Sequence, residues 1–192
     1  VDIRLELVGR SPLLMHNIAL ADPDNEVVKE IATYTAKGSK MTKDDRKAIS
    51  RLEWFAGLYI ENGRVVMPTA NIRKALINAG KASKQGTQIA RALSFHDLNV
   101  PLTYPDAQLD LETLYKDTAY INRAAVGISG KRPMRVRPQF NEWAVVADAF
   151  LLDDVMDAED LRRIARRAGL AEGLCDNRIN GYGRFDVKVI VS

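Results

Sequence analysis

The sequence predicts an α+β domain, an antiparallel sheet covered by helices on one face, and three observations predict it. Both ends of the chain alternate apolar and polar residues with the period of two that a half-buried strand needs. Two segments, 69–79 and 157–168, place apolar residues at helical spacing instead. Between them lie extended runs punctuated by Gly, Pro and Asn.

Residues 1–8 form the first strand. Val1, Ile3, Leu5 and Leu7 line one face and Asp2, Arg4 and Glu6 the other, and Gly9-Arg10-Ser11-Pro12 ends it. Segment 22–57 reads as a helical insertion. Asp22-Pro23 starts its first helix, with Val27, Val28 and Ile31 on the apolar side, and Gly38-Ser39 breaks it. Thr42 with Asp45 resembles a capping box for the second, in which Ile49, Leu52, Trp54, Phe55 and Leu58 recur near helical spacing. Asn62-Gly63, between the runs 58–60 and 64–67, is a hairpin signal because both residues accept positive φ.

Pro68-Thr69 leads into a helix with Thr69 as its N-cap, Ile72, Ala75, Leu76 and Ala79 as its buried stripe and Gly80 as its end. Residues 83–117 read only as short pieces and loops. The runs 120–128 and 134–152 are extended, with Gly130 and Pro133 between them. They predict a long basic hairpin at about 118–152, in which Trp143, Val145, Ala147 and Ala149 share a face.

Asp157 starts the last helix, Leu161, Ile164, Ala165 and Ala168 face inward, and Gly169 caps it. Phe185, Val187, Val189 and Val191 alternate along a closing strand. Without the insertion the order is strand, helix, strand, strand, helix, strand. That is the ferredoxin-like (βαββαβ) arrangement, which leaves one sheet face and the loops available for binding. The expected domain is a single one over 1–192.

Composition bounds the function. The 192 residues are 46% apolar and 28% charged, an ordinary globular balance long enough for a core without staples. A single cysteine, Cys175, excludes an internal disulfide and fits a reducing, cytoplasmic compartment. No apolar run approaches the ~18 residues of a membrane span, and the N-terminus reads as a strand rather than a signal peptide.

The net charge is only +3, so its distribution is more informative. Residues 62–96 carry Arg64, Arg73, Lys74, Lys81, Lys84 and Arg91 with no acid. Residues 118–141 carry Arg123, Lys131, Arg132, Arg135 and Arg137, again with no acid. Phosphate oxygens need donors without competing carboxylates, so these stretches favour a nucleic-acid backbone. Lys131-Arg132-Pro133 is placed at the hairpin tip. Gly181-Tyr182-Gly183-Arg184, beside Asn177, Arg178 and Asn180, adds glycines that let a backbone approach phosphate and a tyrosine that can stack on a base. Arg162, Arg163, Arg166 and Arg167 read as the solvated outer face of the last helix.

Catalytic parts are scarce. His16 is a weak candidate for a general base on a ribose 2′-hydroxyl, with no partner evident in the sequence. One Cys and two His build no zinc site, and neither GxxxxGK[ST] nor GxSxG occurs. No cofactor and no metal are expected.

Three segments resemble motifs of the RAMP superfamily of CRISPR-associated RNA-binding proteins. They are Gly9-Arg10-Ser11-Pro12-Leu13 after the first strand, the helix start Met67-Pro68-Thr69-Ala70-Asn71-Ile72-Arg73-Lys74-Ala75-Leu76, and the Gly-rich Ile179-Asn180-Gly181-Tyr182-Gly183-Arg184-Phe185. The second is similar to the family's IPxSSxRGAxR, with Lys74 where Gly is frequent. Arg135-Val136-Arg137-Pro138-Gln139-Phe140-Asn141-Glu142-Trp143 resembles a segment of uncharacterised proteins common in phages and prophages. The RAMP resemblance implies a ferredoxin-like core and recognition of the backbone of single-stranded RNA, often by repeated copies along the strand.

The expected function is therefore non-enzymatic binding of single-stranded RNA or DNA, RNA favoured, by a self-associating subunit of a CRISPR-like or phage nucleoprotein assembly. The alternatives are a metal-independent RAMP-type endoribonuclease using His16, and a protein-interaction subunit that mimics or blocks an effector component.

Overall fold

A computed structural model of the chain describes residues 1–125 and 134–192. Lys131, Arg132 and the expected hairpin tip lie outside the described residues. In chain order the elements are β1 (Asp2–Gly9), β2 (Leu13–Leu14), α1 (Glu26–Thr35), α2 (Lys43–Gly57), β3 (Ile60–Glu61), β4 (Arg64–Pro68), α3 (Thr69–Lys81), α4 (Gly86–Ala92), β5 (Leu93–Phe95), β6 (Asn99–Thr103), α5 (Leu111–Lys116), β7 (Ile121–Ala125), β8 (Met134–Phe140), β9 (Ala144–Leu151), α6 (Ala158–Arg167) and β10 (Phe185–Val191). They form two compact units, one from Val1–Leu13, Ile60–Ala107 and Phe140–Ser192, the other from Leu14–Tyr59 and Gln108–Gln139.

The first unit holds an antiparallel sheet in the order β10-β1-β9-β6-β4-β3, with β5 also on β9. Its core has the ferredoxin-like order, the first strand lying between the last and the third. β1 pairs with β10 from Ile3↔Val191 to Gly9↔Phe185 and with β9 from Asp2↔Phe150 to Val8↔Ala144. The alternation along β1 is the cause: Ile3, Leu5 and Leu7 are almost wholly buried while Arg4 and Val8 are exposed. Each such buried aliphatic contributes about 1.5–3 kcal/mol. The stripes Ile72, Ala75, Leu76, Ala79 of α3 and Leu161, Ile164, Ala165 of α6 are buried as their spacing predicts.

The second strand of this fold is split, which is why residues 83–117 are illegible in the sequence. β5 pairs Leu93↔Leu151 to Phe95↔Ala149, and β6 pairs Leu102↔Val145 and Thr103↔Ala144. His96 N–H still donates to Asp148 O of β9 at 3.0 Å; residues 97 and 98 then leave the ladder and are held by Thr69, whose Oγ1 donates to the carbonyls of Asp97 (2.7 Å) and Leu98 (3.0 Å). Thr69 is thus the first residue of α3 and a buried donor, not its N-cap; Pro68 takes the cap position. The extended run 134–152 likewise divides. β8 pairs with β7 from Ile121↔Pro138 to Ala125↔Met134, whereas β9 joins the main sheet after exposed Asn141 and Glu142.

Three terminators differ from expectation. The first insertion helix starts at Glu26 with Asn25 as N-cap, since the Asn25 side chain accepts from Val27 and Val28 N–H while 22–24 form a turn. α3 runs through Gly80 to Lys81. Gly80 packs instead: a Cβ there would lie 2.5 Å from Ile89 Cδ1. α6 continues into a wide turn over Ala168–Glu172 that stops at Gly173, φ 72°. Gly169 is required by packing, because its Cβ would meet the Phe185 carbonyl oxygen at 2.0 Å.

The second unit contains α1, α2, α5 and a three-stranded sheet in the order β2-β8-β7. Trp54 of α2 is fully buried and its indole N–H donates to Tyr120 O at 2.8 Å. The capping box forms as predicted, with Thr42 Oγ1 accepting from Asp45 N–H and Asp45 Oδ2 accepting from Thr42 N–H. Asp45 also receives Lys37 Nζ at 2.6 Å. The Lys37 ammonium, then the Thr42 N–H, hold the Asp45 carboxyl down at about 2, from 3.8. Among the described residues, no helix is long and apolar enough to cross a membrane.

Replacing Thr42 by Ala will destabilise the protein by about 1 kcal/mol in chemical denaturation. A depressed carboxylate stabilises the fold above its unfolded pKa and loses that contribution as pH falls through its folded one. Acid titration of stability should therefore drop between about pH 4 and pH 2, and Asp45→Asn should flatten that drop.

Candidate nucleic-acid interface

The three sequence markers meet within the first unit. β1 ends at Gly9 with its backbone under the Trp143 ring, where a Cβ would stand 2.4 Å from the indole nitrogen. Gly9 N–H donates to Trp143 O at 2.8 Å, and Trp143 Nε1 donates to Ser11 O at 2.9 Å. The Ser11 hydroxyl donates to Gly181 O at 2.7 Å and accepts from Arg184 N–H at 2.9 Å. Arg10 N–H donates to Arg184 O, and Gly183 N–H to Pro12 O, both at 2.8 Å. The turn 9–12 and the glycine-rich loop are thus sewn together by main-chain bonds.

The loop between α6 and β10 is tightly coiled. Gly173, Cys175, Asn177, Gly181 and Gly183 all adopt left-handed φ, between 55° and 86°. Gly183 is required twice over, since its φ is 69° and a Cβ would sit 2.1 Å from Leu174 O. The loop reaches the start of α3, where Asn71 Nδ2 lies 3.8 Å from Cys175 Sγ, and that sulfur 3.8 Å from Met67 Sδ.

Between α3 and the loop lies a cleft of about 520 Å³, lined by Asn78, Asn177, Arg178, Asn180 and Arg184 together with Glu172 and Asp176. Ile179 stands at its lip, 98% exposed. Arg184 Nη2 donates to Arg178 O at 3.1 Å, while its Nη1 is buried with no hydrogen-bond partner among the described residues. A buried guanidinium N–H is normally satisfied, so this nitrogen is an exception within the fold. Burial, and then the neighbouring Asp176, push the Cys175 thiol up to about 12, so it is a neutral thiol and not a nucleophile.

The remaining expected residues are distributed as follows. Lys74 is exposed on α3 at helical spacing from Asn71 and Asn78, and Lys81 Nζ donates to Asn78 Oδ1 at 3.0 Å. Asn71, Lys74, Asn78 and Lys81 form one polar stripe. Sequence reasoning misses the asparagines, although the period of the apolar stripe beside them marks their face. Lys81 and Lys84 also line a shallower cleft of about 330 Å³. Arg73 is occupied structurally, with Nη2 donating to Ala90 O at 2.5 Å. Arg64 is exposed on β4. Tyr182 is half-buried in the loop. The outward sheet face is not basic, because Arg4 is tied to Asp148 at 2.7 Å and Asp2, Glu6 and Asp186 share that face.

In the second unit, Arg135 Nη1 pairs with the buried Glu53 carboxylate at 2.5 Å and Arg123 Nη1 donates to Ser50 Oγ at 3.0 Å. Arg137 is half-buried beside them and His16 is exposed. The four arginines of α6 are exposed; Arg162 pairs with Glu159 and Arg163 with Asp160. No group of three or more His, Cys, Asp or Glu among the described residues is arranged to hold a metal ion.

Removing the Ser11 hydroxyl, as in Ser11→Ala, leaves Gly181 O and Arg184 N–H unpaired and will cost about 1–3 kcal/mol by equilibrium unfolding. Iodoacetamide at pH 8 will label Cys175 slowly in the native protein and readily after denaturation, as followed by mass spectrometry.

No family model and no curated protein matches the sequence. Among solved structures, a chain of the Type III-B Cmr-beta complex bound to cognate target RNA aligns with a TM-score of 0.54 and 11% identity. The alignment covers 98% of this chain and 60% of that one, so this chain spans about three-fifths of its neighbour's length. At such identity the likeness is one of fold alone.

Proposed function

We propose that this protein binds single-stranded nucleic acid, RNA in preference to DNA, by its sugar-phosphate backbone, and does so as a repeated subunit of a nucleoprotein assembly of CRISPR or phage type. The carrying observation is the convergence of Arg178, Arg184, Asn78, Asn177 and Asn180 on one cleft beside the glycine-rich loop. A phosphate oxygen is an acceptor that such donors can share, and arginine presents its donors in a fork matched to it. Glu172 and Asp176 at the same cleft keep it from being a uniform anion sink. The RAMP-like fold, and the RNA bound by the Cmr-beta complex, support the choice of RNA.

Salt-titrated binding to labelled single-stranded RNA and DNA oligomers tests this. Affinity should fall steeply with salt and favour RNA. Arg178→Ala and Arg184→Ala should each weaken binding and reduce the log–log salt slope by roughly 0.7 for every phosphate the variant no longer neutralises. Absence of binding to either oligomer at low salt would falsify the reading.

A further inference from the structure

The second unit contains a cavity of about 510 Å³ between α1 and the α2–β8 layer, of the size usual for small-ligand sites. One wall is apolar, formed by Leu20, Val28 and Ile31. A second wall, from α2 and β8, is charged and is formed by Glu53, Arg135 and Arg137, and His16 also lines the cavity.

Two features set it apart from a packing defect. α1 is amphipathic yet has no fully buried residue; Val28 and Ile31 are only half-buried, so its apolar side is not closed against the unit. The charged wall is built rather than incidental. Glu53 is 6% exposed; one of its oxygens accepts from Arg135 Nη1 at 2.5 Å and the other from Val136 N–H at 2.9 Å. Each carboxylate oxygen retains acceptor capacity, and Arg135, 37% exposed at its side chain, has further N–H groups beyond the one given to Glu53.

The occupant must therefore offer an apolar face to α1 and, at its edge, both donors and acceptors to Glu53 and Arg135. An aliphatic side chain satisfies the first wall and leaves the second unpartnered, at the cost of desolvating it. A simple anion satisfies the arginines and ignores the apolar wall. A nucleobase meets both requirements: its faces are apolar and its edge carries amino donors beside ring-nitrogen and carbonyl acceptors. We infer that this cavity is a nucleobase pocket, taking one base splayed from a bound strand or the base of a free nucleotide. The strand-borne source rests on the nucleic-acid reading above; the free-nucleotide source does not.

The test uses the full chain, with Ile31→Trp to fill the cavity and Ala32→Trp at its rim as a second variant should the first fail to fold. In the first arm, saturation-transfer NMR and calorimetry follow GMP, AMP, UMP and ribose 5-phosphate. At least one nucleotide should bind, ribose 5-phosphate should not, and the filled variant should lose at least tenfold in affinity. In the second arm, single-stranded RNA oligomers carrying one abasic site at successive positions are compared with the intact oligomer. The wild type should bind at least one abasic oligomer several-fold more weakly, and the filled variant should lose that discrimination while keeping its salt slope.

Binding of ribose 5-phosphate as tight as that of the nucleotides would overturn the inference. So would a folded Trp variant that matches the wild type in both arms. A variant that abolishes self-association but leaves nucleotide binding unchanged would assign the cavity to a protein segment, and overturns it too. If the wild type binds no oligomer at low salt, the proposed function fails, and the first arm still decides the pocket.

Discussion

The Ser11 hydroxyl holds together the part of the molecule on which the candidate interface depends. It donates to one carbonyl of the glycine-rich loop and accepts from the N–H three residues further on, while Trp143 holds the Ser11 carbonyl from the other side. Such bonds require two backbones to lie almost in contact. Gly9 and Gly183 permit this, since a Cβ at the first would enter the Trp143 ring and at the second would strike Leu174 O. The loop's five left-handed residues then set its curvature, and that curvature carries Arg178 and Arg184 into the lining of the cleft. The ferredoxin-like sheet order makes the junction possible, because it places the first and last strands side by side.

Charge in this protein is organised by tertiary contacts rather than by runs. The stretch 118–141 carries no acid, yet Arg135 is paired with Glu53, which α2 delivers from far away in sequence. Arg73, in the other acid-free stretch, is spent on a backbone carbonyl of α4. Conversely, the cleft that retains an unsatisfied arginine donor has two acids at its edge. A guanidinium bonded inside the fold is a brace; one that also lines a cleft can meet a phosphate there. This distinction separates Arg184, which lines the cleft, from Arg73, which does not, although the sequence marks both.

The glycines divide by a similar logic. Gly80 and Gly169 sit where a helical period predicts a stop, and at both the helical chain continues. Their smallness serves close packing against Ile89 and against the Phe185 carbonyl. The stop after α6 falls on Gly173, whose φ is positive. A glycine in sequence announces an exception to ordinary backbone or packing, and only neighbours in space say which.

Periodicity by itself determined the first and last strands, the buried stripes of α3 and α6, the capping box of α2 and the Asn62-Gly63 turn, because each is a local pattern read by local physics. The clustered glycines likewise marked the loop around Arg178 and Arg184 as a candidate site. Tertiary structure alone decided the rest. β5 and β6 are strands of three and five residues, too short to carry a period, and become strands because β9 offers them a ladder. β8 and β9 read as one run and part into two sheets because β9 has partners in β1 that the run does not reveal. Which arginines remain available to a ligand could not be read at all, since their partners Ala90 O, Ser50 and Glu53 come from elements that only folding brings near.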